Sequence, residues 1–196
     1  MGERVFLPSS DDLVKLVKSE VDDLILYFSC GKESIAMWLW LRDKGFKITP
    51  VFLFLVPGLR SDEKNLVYYE EFFGCRIMRF PHPLLYQMLN HNVFQPPERV
   101  GQIAAFDLPN FSFADIDKVI AHRVLSDAPY FSAMGMRMAD NLERRMMMYQ
   151  NGVLGRKNRR FYYPIWDWKI DRLADVIVES KIKIPKAYKL WGAPIS

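Results

Sequence analysis

Only two cysteines, Cys30 and Cys75, occur among the 196 residues. That count excludes a disulfide-rich scaffold and an iron–sulfur cluster held by four cysteines of one chain. Histidine is nearly as scarce: His82, His91 and His122 show no metal-ligand spacing and no serine or cysteine partner pattern, so they read as structural or surface residues. No metal site is expected. Membrane-length apolar runs are missing as well. The stretch Val51 to Val56 stops at Pro57 and Gly58, far short of the about 20 residues a spanning helix needs, and reads as a buried strand. Met1 to Asp12 carries acids, a proline and no apolar leader core, so a cytoplasmic protein is expected. Nor does one sign of charge dominate: 27 bases against 23 acids leave +4, which suits a phosphorylated small molecule as well as a nucleic acid.

Apolar residues make up 50% of the chain, enough for one substantial core, and one domain over residues 1–196 is expected. Ser9, Ser10 and Asp12 precede an apolar rhythm at Leu13, Leu16, Val17 and Val21, a helix with a capped start. Leu24 to Phe28 is a continuous apolar run, as in a parallel strand covered on both faces, and a helix runs from Ser34 through Leu41 to Gly45. The alternation repeats with a strand at Ile48 to Leu55, a helix capped by Ser61 and closed by Gly74, and a strand at Arg76 to Phe80. Such βαβαβ order predicts a single doubly wound, mainly parallel α/β sheet with helices on both faces. Between Pro81 and Pro109 a helix around Leu84 to Leu89 is followed by loops or short helices. Ser112 and Asp115 cap a further helix to about Leu125, before a strand at Tyr130 to Met134, a helix over Ala139 to Tyr149, a basic loop around Arg156 to Arg160, an extended piece at Phe161 to Ile165 and a last helix from Ile170 to Ser180.

The segment Ser29-Cys30-Gly31-Lys32-Glu33-Ser34 sets small and polar residues between a buried strand and a helix start. Anions bind there because the first helical turn leaves N–H groups unpaired and the helix dipole adds positive charge. Lys32 supplies a full charge, and Ser29 and Ser34 supply hydroxyl donors. In an open parallel sheet this turn lies at the carboxyl ends of the strands, where ligands bind. The spacing fits neither G-x-x-x-x-G-K-[ST] nor G-x-G-x-x-G. It resembles the PP-loop, S-G-G-K-D-S in its usual form, of the adenine-nucleotide α-hydrolase and PAPS reductase superfamily. Cys30 stands for a glycine and Glu33 for an aspartate.

Two later blocks carry the resemblance across the chain. Gly135-Met136-Arg137-Met138-Ala139-Asp140-Asn141-Leu142-Glu143-Arg144 is similar to the superfamily's G-x-R-x-x-[DE]-[SN]-x-x-R block, whose arginines grip the anionic end of the substrate. Arginine suits that task through its planar fork of donors. Gly135 is expected to turn the backbone tightly, and Asp140 to cap the helix that follows. Arg145 reads as a solvated residue, and Met146, Met147 and Met148 as core filler. Tyr163-Pro164-Ile165-Trp166-Asp167-Trp168, with Lys183-Ile184-Pro185-Lys186-Ala187-Tyr188 beyond the last helix, resembles a segment of PAPS reductases and of the small subunit of bacterial sulfate adenylyltransferase. Trp166 and Trp168 taken alone read as packing residues.

The resemblance implies an adenine-nucleotide substrate, ATP or PAPS, with Mg²⁺ carried on the phosphates. It assigns nucleotide contacts to Ser29, Cys30, Gly31, Lys32, Glu33, Ser34, Gly58, Gly135, Arg137, Asp140 and Arg144, with Lys32, Arg137 and Arg144 as the catalytic set. The cysteine of a PAPS reductase's C-terminal tail has no counterpart, since no cysteine follows Cys75, and the end of the second strand keeps Gly58 without the family's acid. Cleavage of ATP between its α and β phosphates to activate a second substrate is therefore the expected activity. One alternative is a PAPS reductase-like oxidoreductase that uses a partner's thiol or Cys30, a thiol whose position at a helix start beside Lys32 favours the thiolate. Another is a non-catalytic module that holds a nucleotide or, through Arg156, Lys157, Arg159 and Arg160, a nucleic acid. A protein partner supplying a second active site, and a homodimer, are compatible with both enzyme readings.

Overall fold

The computed structural model describes residues 7–93, 95–156 and 160–185. Met1 to Phe6, Lys157, Arg159, Lys186 to Tyr188 and the final residues through Ser196 lie outside the described residues.

The apolar run that follows Val21 becomes β1, Asp23–Tyr27, with Leu24, Ile25 and Leu26 fully buried because helices cover both faces. It lies at the centre of a sheet completed by β2 (Lys47–Phe54), β3 (Met78–Pro81), β4 (Tyr130–Met134), β5 (Leu154–Gly155) and β6 (Phe161–Tyr162). The order is β3-β2-β1-β4-β6-β5, with every pairing parallel except β5 against β6. The expected doubly wound α/β sheet is present. The hairpin strand β5 falls where a loop is expected, since two residues are too few to leave a period-two pattern.

The helices are α1 (Ser10–Glu20), α2 (Lys32–Asp43), α3 (Arg60–Phe73), α4 (Pro83–Asn90), α5 (Pro97–Ala105), α6 (Phe113–Arg123), α7 (Leu142–Asn151) and α8 (Ile170–Ser180). Ser9 caps α1 by accepting from the Asp12 amide at 3.1 Å, and Ser112 with Asp115 forms a full capping box on α6. Gly74 closes α3 in the left-handed conformation, at φ +67°. Ser61 is not its cap: Leu59 holds that position, and Ser61 lies inside the first turn. The cap of α7 is Asn141, whose side chain accepts from the Arg144 amide at 2.8 Å, rather than Asp140.

Two apolar layers flank the sheet. The larger joins Leu13 and Val17 of α1, the buried length of α2 and Leu173 and Ile177 of α8 to Leu24, Leu26 and Phe131. Opposite lie Ile25, Val51, Ile116, Ile120 and Leu125, under α6. Of the three consecutive methionines only Met148 is fully buried; Met147 packs at the margin of the core, and Met146 is exposed, contrary to the core-filler expectation. Adjacent positions on a helix point in different directions, so three in a row cannot all face inward.

Candidate functional site

Parallel pairing of β1 with β4 sets Tyr27 beside Met134 at the carboxyl end of the sheet. On the other side β1 pairs with β2, so the chain reverses its winding here, and this switch point opens the crevice where such sheets bind ligands. The residues that leave β1 are the Ser29 to Ser34 turn; those that leave β4 are Gly135 to Arg144. Pairing of the strands thus brings together two blocks separated by about a hundred residues of sequence, Glu33 and Arg137 being 104 positions apart.

Hydroxyls brace the turn from inside. Ser34 Oγ accepts from the Ser29 amide at 3.2 Å and donates to the Gly31 carbonyl at 2.9 Å, and Ser29 Oγ accepts from the Gly31 amide at 3.3 Å. Gly31 is the residue before the first turn of α2. Cys30 adopts φ +58°, the left-handed conformation that glycine takes at no steric cost, which explains why a glycine is the usual residue there. That backbone geometry turns the thiol into the core, where the residue is 7% exposed. Burial, with the Asp62 carboxylate adding, pushes the thiol up to about 12 against a smaller opposing pull from Arg79. The expectation of a favoured thiolate is overturned: desolvation outweighs the helix terminus. In folded protein at pH 8, iodoacetamide is expected to leave Cys30 unmodified over the time in which it labels the unfolded chain, as read by mass spectrometry of peptides; equal labelling of both states would contradict the burial.

Gly135 performs a different task from the tight turn expected of it. Its φ is not positive; instead, a Cβ there would lie 3.2 Å from the Glu33 carbonyl carbon and 3.3 Å from the Ser34 amide nitrogen. The missing side chain lets the segment after β4 rest directly on the start of α2. Arg137, two residues on, is 7% exposed. Its Nη2 lies 2.7 Å from Asp140 Oδ1 and 3.3 Å from Glu33 Oε1, and its Nη1 donates to the Trp168 carbonyl at 3.4 Å. Asp140 also pairs with Arg144, and Glu33 lies 3.4 Å from the Lys32 ammonium. Three cations and two carboxylates therefore form one chain of contacts, Lys32–Glu33–Arg137–Asp140–Arg144. Arg137 is its buried centre; Lys32 and Arg144 are its more accessible ends, and Arg144 keeps 41% of its side chain exposed.

A cleft of about 440 Å³ lies against this chain of charges. Among the expected site residues, Ser29, Gly135 and Arg144 line it. Most of its remaining wall is apolar or aromatic, from Tyr27, Phe52, Leu53, Phe113, Met134 and Met136. Gly58, at φ +68°, lies in the turn beyond β2 and is not among the lining residues. His82 does line the cleft, contrary to its reading as a structural or surface residue. The signal available for it was position, directly after the third strand of a sheet whose carboxyl ends bind ligands. Asp117, 1% exposed on α6, accepts from the Tyr27 hydroxyl at 2.6 Å and fixes that part of the wall. A more open depression of about 770 Å³ over α3 and β3 holds Glu63, Glu70 and Arg79, which pair with one another, and none of the expected site residues.

The third block braces the second. Trp168, 1% exposed, packs edge-on against Trp40 at 5.0 Å with the Arg172 guanidinium 4.4 Å from its ring. Trp166 donates to the Pro8 carbonyl at 3.0 Å and accepts through its own carbonyl from the Met138 amide at 2.8 Å. Neither tryptophan lines the cleft, in keeping with a packing role. In the basic loop, Arg156 and Arg160 both pair with Glu20, and Arg160 lies 4.4 Å from the Phe131 ring, so the two described arginines are engaged by the fold. Among the described residues no three histidine, cysteine or acidic side chains gather to hold a metal, and no helix is long and apolar enough to cross a membrane.

No protein-family profile and no curated protein sequence matches the chain. Solved structures do. PAPS reductase from Candida auris, in a phosphate complex, superposes with a TM-score of 0.52 at 11% identity, over 94% of this chain and 85% of that one. NH3-dependent NAD synthetase from Campylobacter jejuni, in complex with the nitrate ion, superposes with a TM-score of 0.53 at 9% identity, over 94% of this chain and 74% of that one. At such identities the likeness concerns the fold. That fold, a doubly wound and mainly parallel α/β sheet of the PP-loop type, is the one this chain shares with PAPS reductase and NAD synthetase.

Proposed function

We propose that the chain is a cytoplasmic enzyme that binds ATP in the cleft between the ends of β1 and β4, cleaves it between the α and β phosphates, and passes the adenylyl group to a second substrate. The observation that carries this reading is the meeting of the Ser29 to Ser34 turn with Gly135 to Arg144 on a cleft that is cationic at one end and apolar at the other. Phosphates belong at the first, a nucleoside at the second. Lys32 and the first-turn amides of α2 hold the phosphates, and Arg144 binds the departing pyrophosphate. Arg137, enclosed by Glu33 and Asp140, acts as a positioning residue that sets the two exposed cations. The second substrate's nucleophile forms the new bond to the α phosphorus as the bond to the bridging oxygen breaks and the electron pair leaves with pyrophosphate. Positioning and charge stabilisation are what these residues contribute. Mg²⁺ enters on the triphosphate as part of the substrate.

Reduction of PAPS through Cys30 is disfavoured by the buried thiol with its raised pKa. The experiment that separates these chemistries incubates the protein with labelled ATP and Mg²⁺, and separately with PAPS and a dithiol. AMP and pyrophosphate are expected from the first, with Lys32→Ala slowing their release about 100-fold. Sulfite from the second, with the dithiol oxidised to a disulfide, would establish the reductase instead; bound ATP without AMP would reduce the protein to a binding module.

A further inference from the structure

His82 is the cleft residue that the phosphate reading leaves without a task. It follows β3 directly, its amide donates to the Phe54 carbonyl at 2.9 Å, and its Nδ1 accepts from the Leu84 amide at 3.1 Å as the cap of α4. An Nδ1 that accepts from a backbone N–H carries no proton, so the neutral ring is the Nε2–H tautomer. Nε2–H, a donor, is then the one polar group the ring has left for the cleft. Burial lowers the pKa of the imidazole below its usual value and so supports the neutral form. The ring does not stand alone. It meets Phe113 edge to face at 5.3 Å, and Phe113 meets Tyr27 at 5.6 Å, so three rings from α4, α6 and β1 form one aromatic wall. Asp117 already occupies the Tyr27 hydroxyl. Away from Ser29 and Arg144 the wall is otherwise apolar, which leaves His82 to supply its side-chain polarity.

We propose that His82 is the specificity-determining residue of this cleft, donating Nε2–H to a ring-nitrogen acceptor of a planar heterocycle held against the Tyr27–Phe113–His82 wall. This rests on the phosphate-site reading above. The class of ligand is a heteroaromatic phosphate ester, selected against aliphatic phosphates and bare polyphosphate, because a donor in an apolar wall penalises any group that cannot accept from it.

Isothermal titration with ATP and with inorganic tripolyphosphate, on the wild-type protein and on His82→Asn, tests the proposal. Asparagine caps helices well, so α4 keeps its first turn while the imidazole donor is lost. Wild-type protein is expected to bind ATP about tenfold more tightly than tripolyphosphate, and His82→Asn to lose about fivefold in ATP affinity with tripolyphosphate unchanged. Deaza-ATP analogues, each with one ring nitrogen replaced by C–H, give a measure that needs no variant: one of them is expected to bind wild-type protein about fivefold more weakly than ATP. Unchanged ATP affinity in His82→Asn, or deaza analogues that all bind as ATP does, overturns the proposal. Tripolyphosphate bound as tightly as ATP overturns it and leaves the phosphate site standing; no binding of either ligand removes both.

Discussion

Arg137→Met is expected to destabilise the protein by about 3 kcal/mol, the lower part of the range for removing one partner of a buried ion pair. Methionine replaces the length and much of the volume of the arginine, so the loss reports charge and hydrogen bonds rather than a cavity. Left behind are Asp140 and Glu33, with 17% and 21% of their side chains exposed, facing one another without the guanidinium between them. Arg144 and Lys32 still pair with them and keep the cost from being larger. Urea unfolding is the measurement, with a parallel fall in the thermal midpoint of about 6–12 °C for a chain of this size. Glu33→Gln in the same protein should return about 1 kcal/mol, because the carboxylate it removes is the one the first change stranded. A loss under about 1 kcal/mol for Arg137→Met would show that the guanidinium does not join the two blocks.

Trp168→Ala is expected to cost more, about 3–5 kcal/mol, as the loss of a fully buried aromatic ring does. The void would lie between Trp40 and Arg172, which meet the ring on two sides, and under the Trp168 carbonyl that Arg137 uses. Trp168→Phe should cost about half as much. The indole N–H has no acceptor among the described residues, so its removal relieves a buried unsatisfied donor while most of the ring remains. Equal losses for the two variants would mean that ring packing is not what Trp168 contributes.

Much of the fold was legible because buried parallel strands read as short apolar runs and helices announce their ends. The run at Leu24, the closing glycine at Gly74 and the pair Ser112 and Asp115 each act locally, through burial, a left-handed backbone or a cap. Where several polar residues adjoin, local rules do not rank them: Asn141 and not Asp140 caps α7, because Asp140 is drawn to two arginines. The candidate site was legible as three blocks of residue types, but not as a geometry. That Arg137 would be buried follows from Glu33, which reaches it from α2 once β1 and β4 pair. Cys30 faces the core because of one left-handed φ, and His82 meets the cleft because α6 brings Phe113 to it. Each depends on contacts between segments far apart in sequence, which no window along the chain contains.

The most direct measurement on the central claim, that the Ser29 to Ser34 turn and Arg144 hold the phosphates of a nucleotide, is calorimetric titration of the protein and of Lys32→Ala with MgATP. One site per chain is predicted for the wild type, with affinity lost about tenfold or more in Lys32→Ala while the thermal midpoint of the free protein is retained, the cost of one charge-assisted contact to phosphate. A wild-type protein that binds no MgATP, or a Lys32→Ala variant that binds it equally well, would contradict the claim.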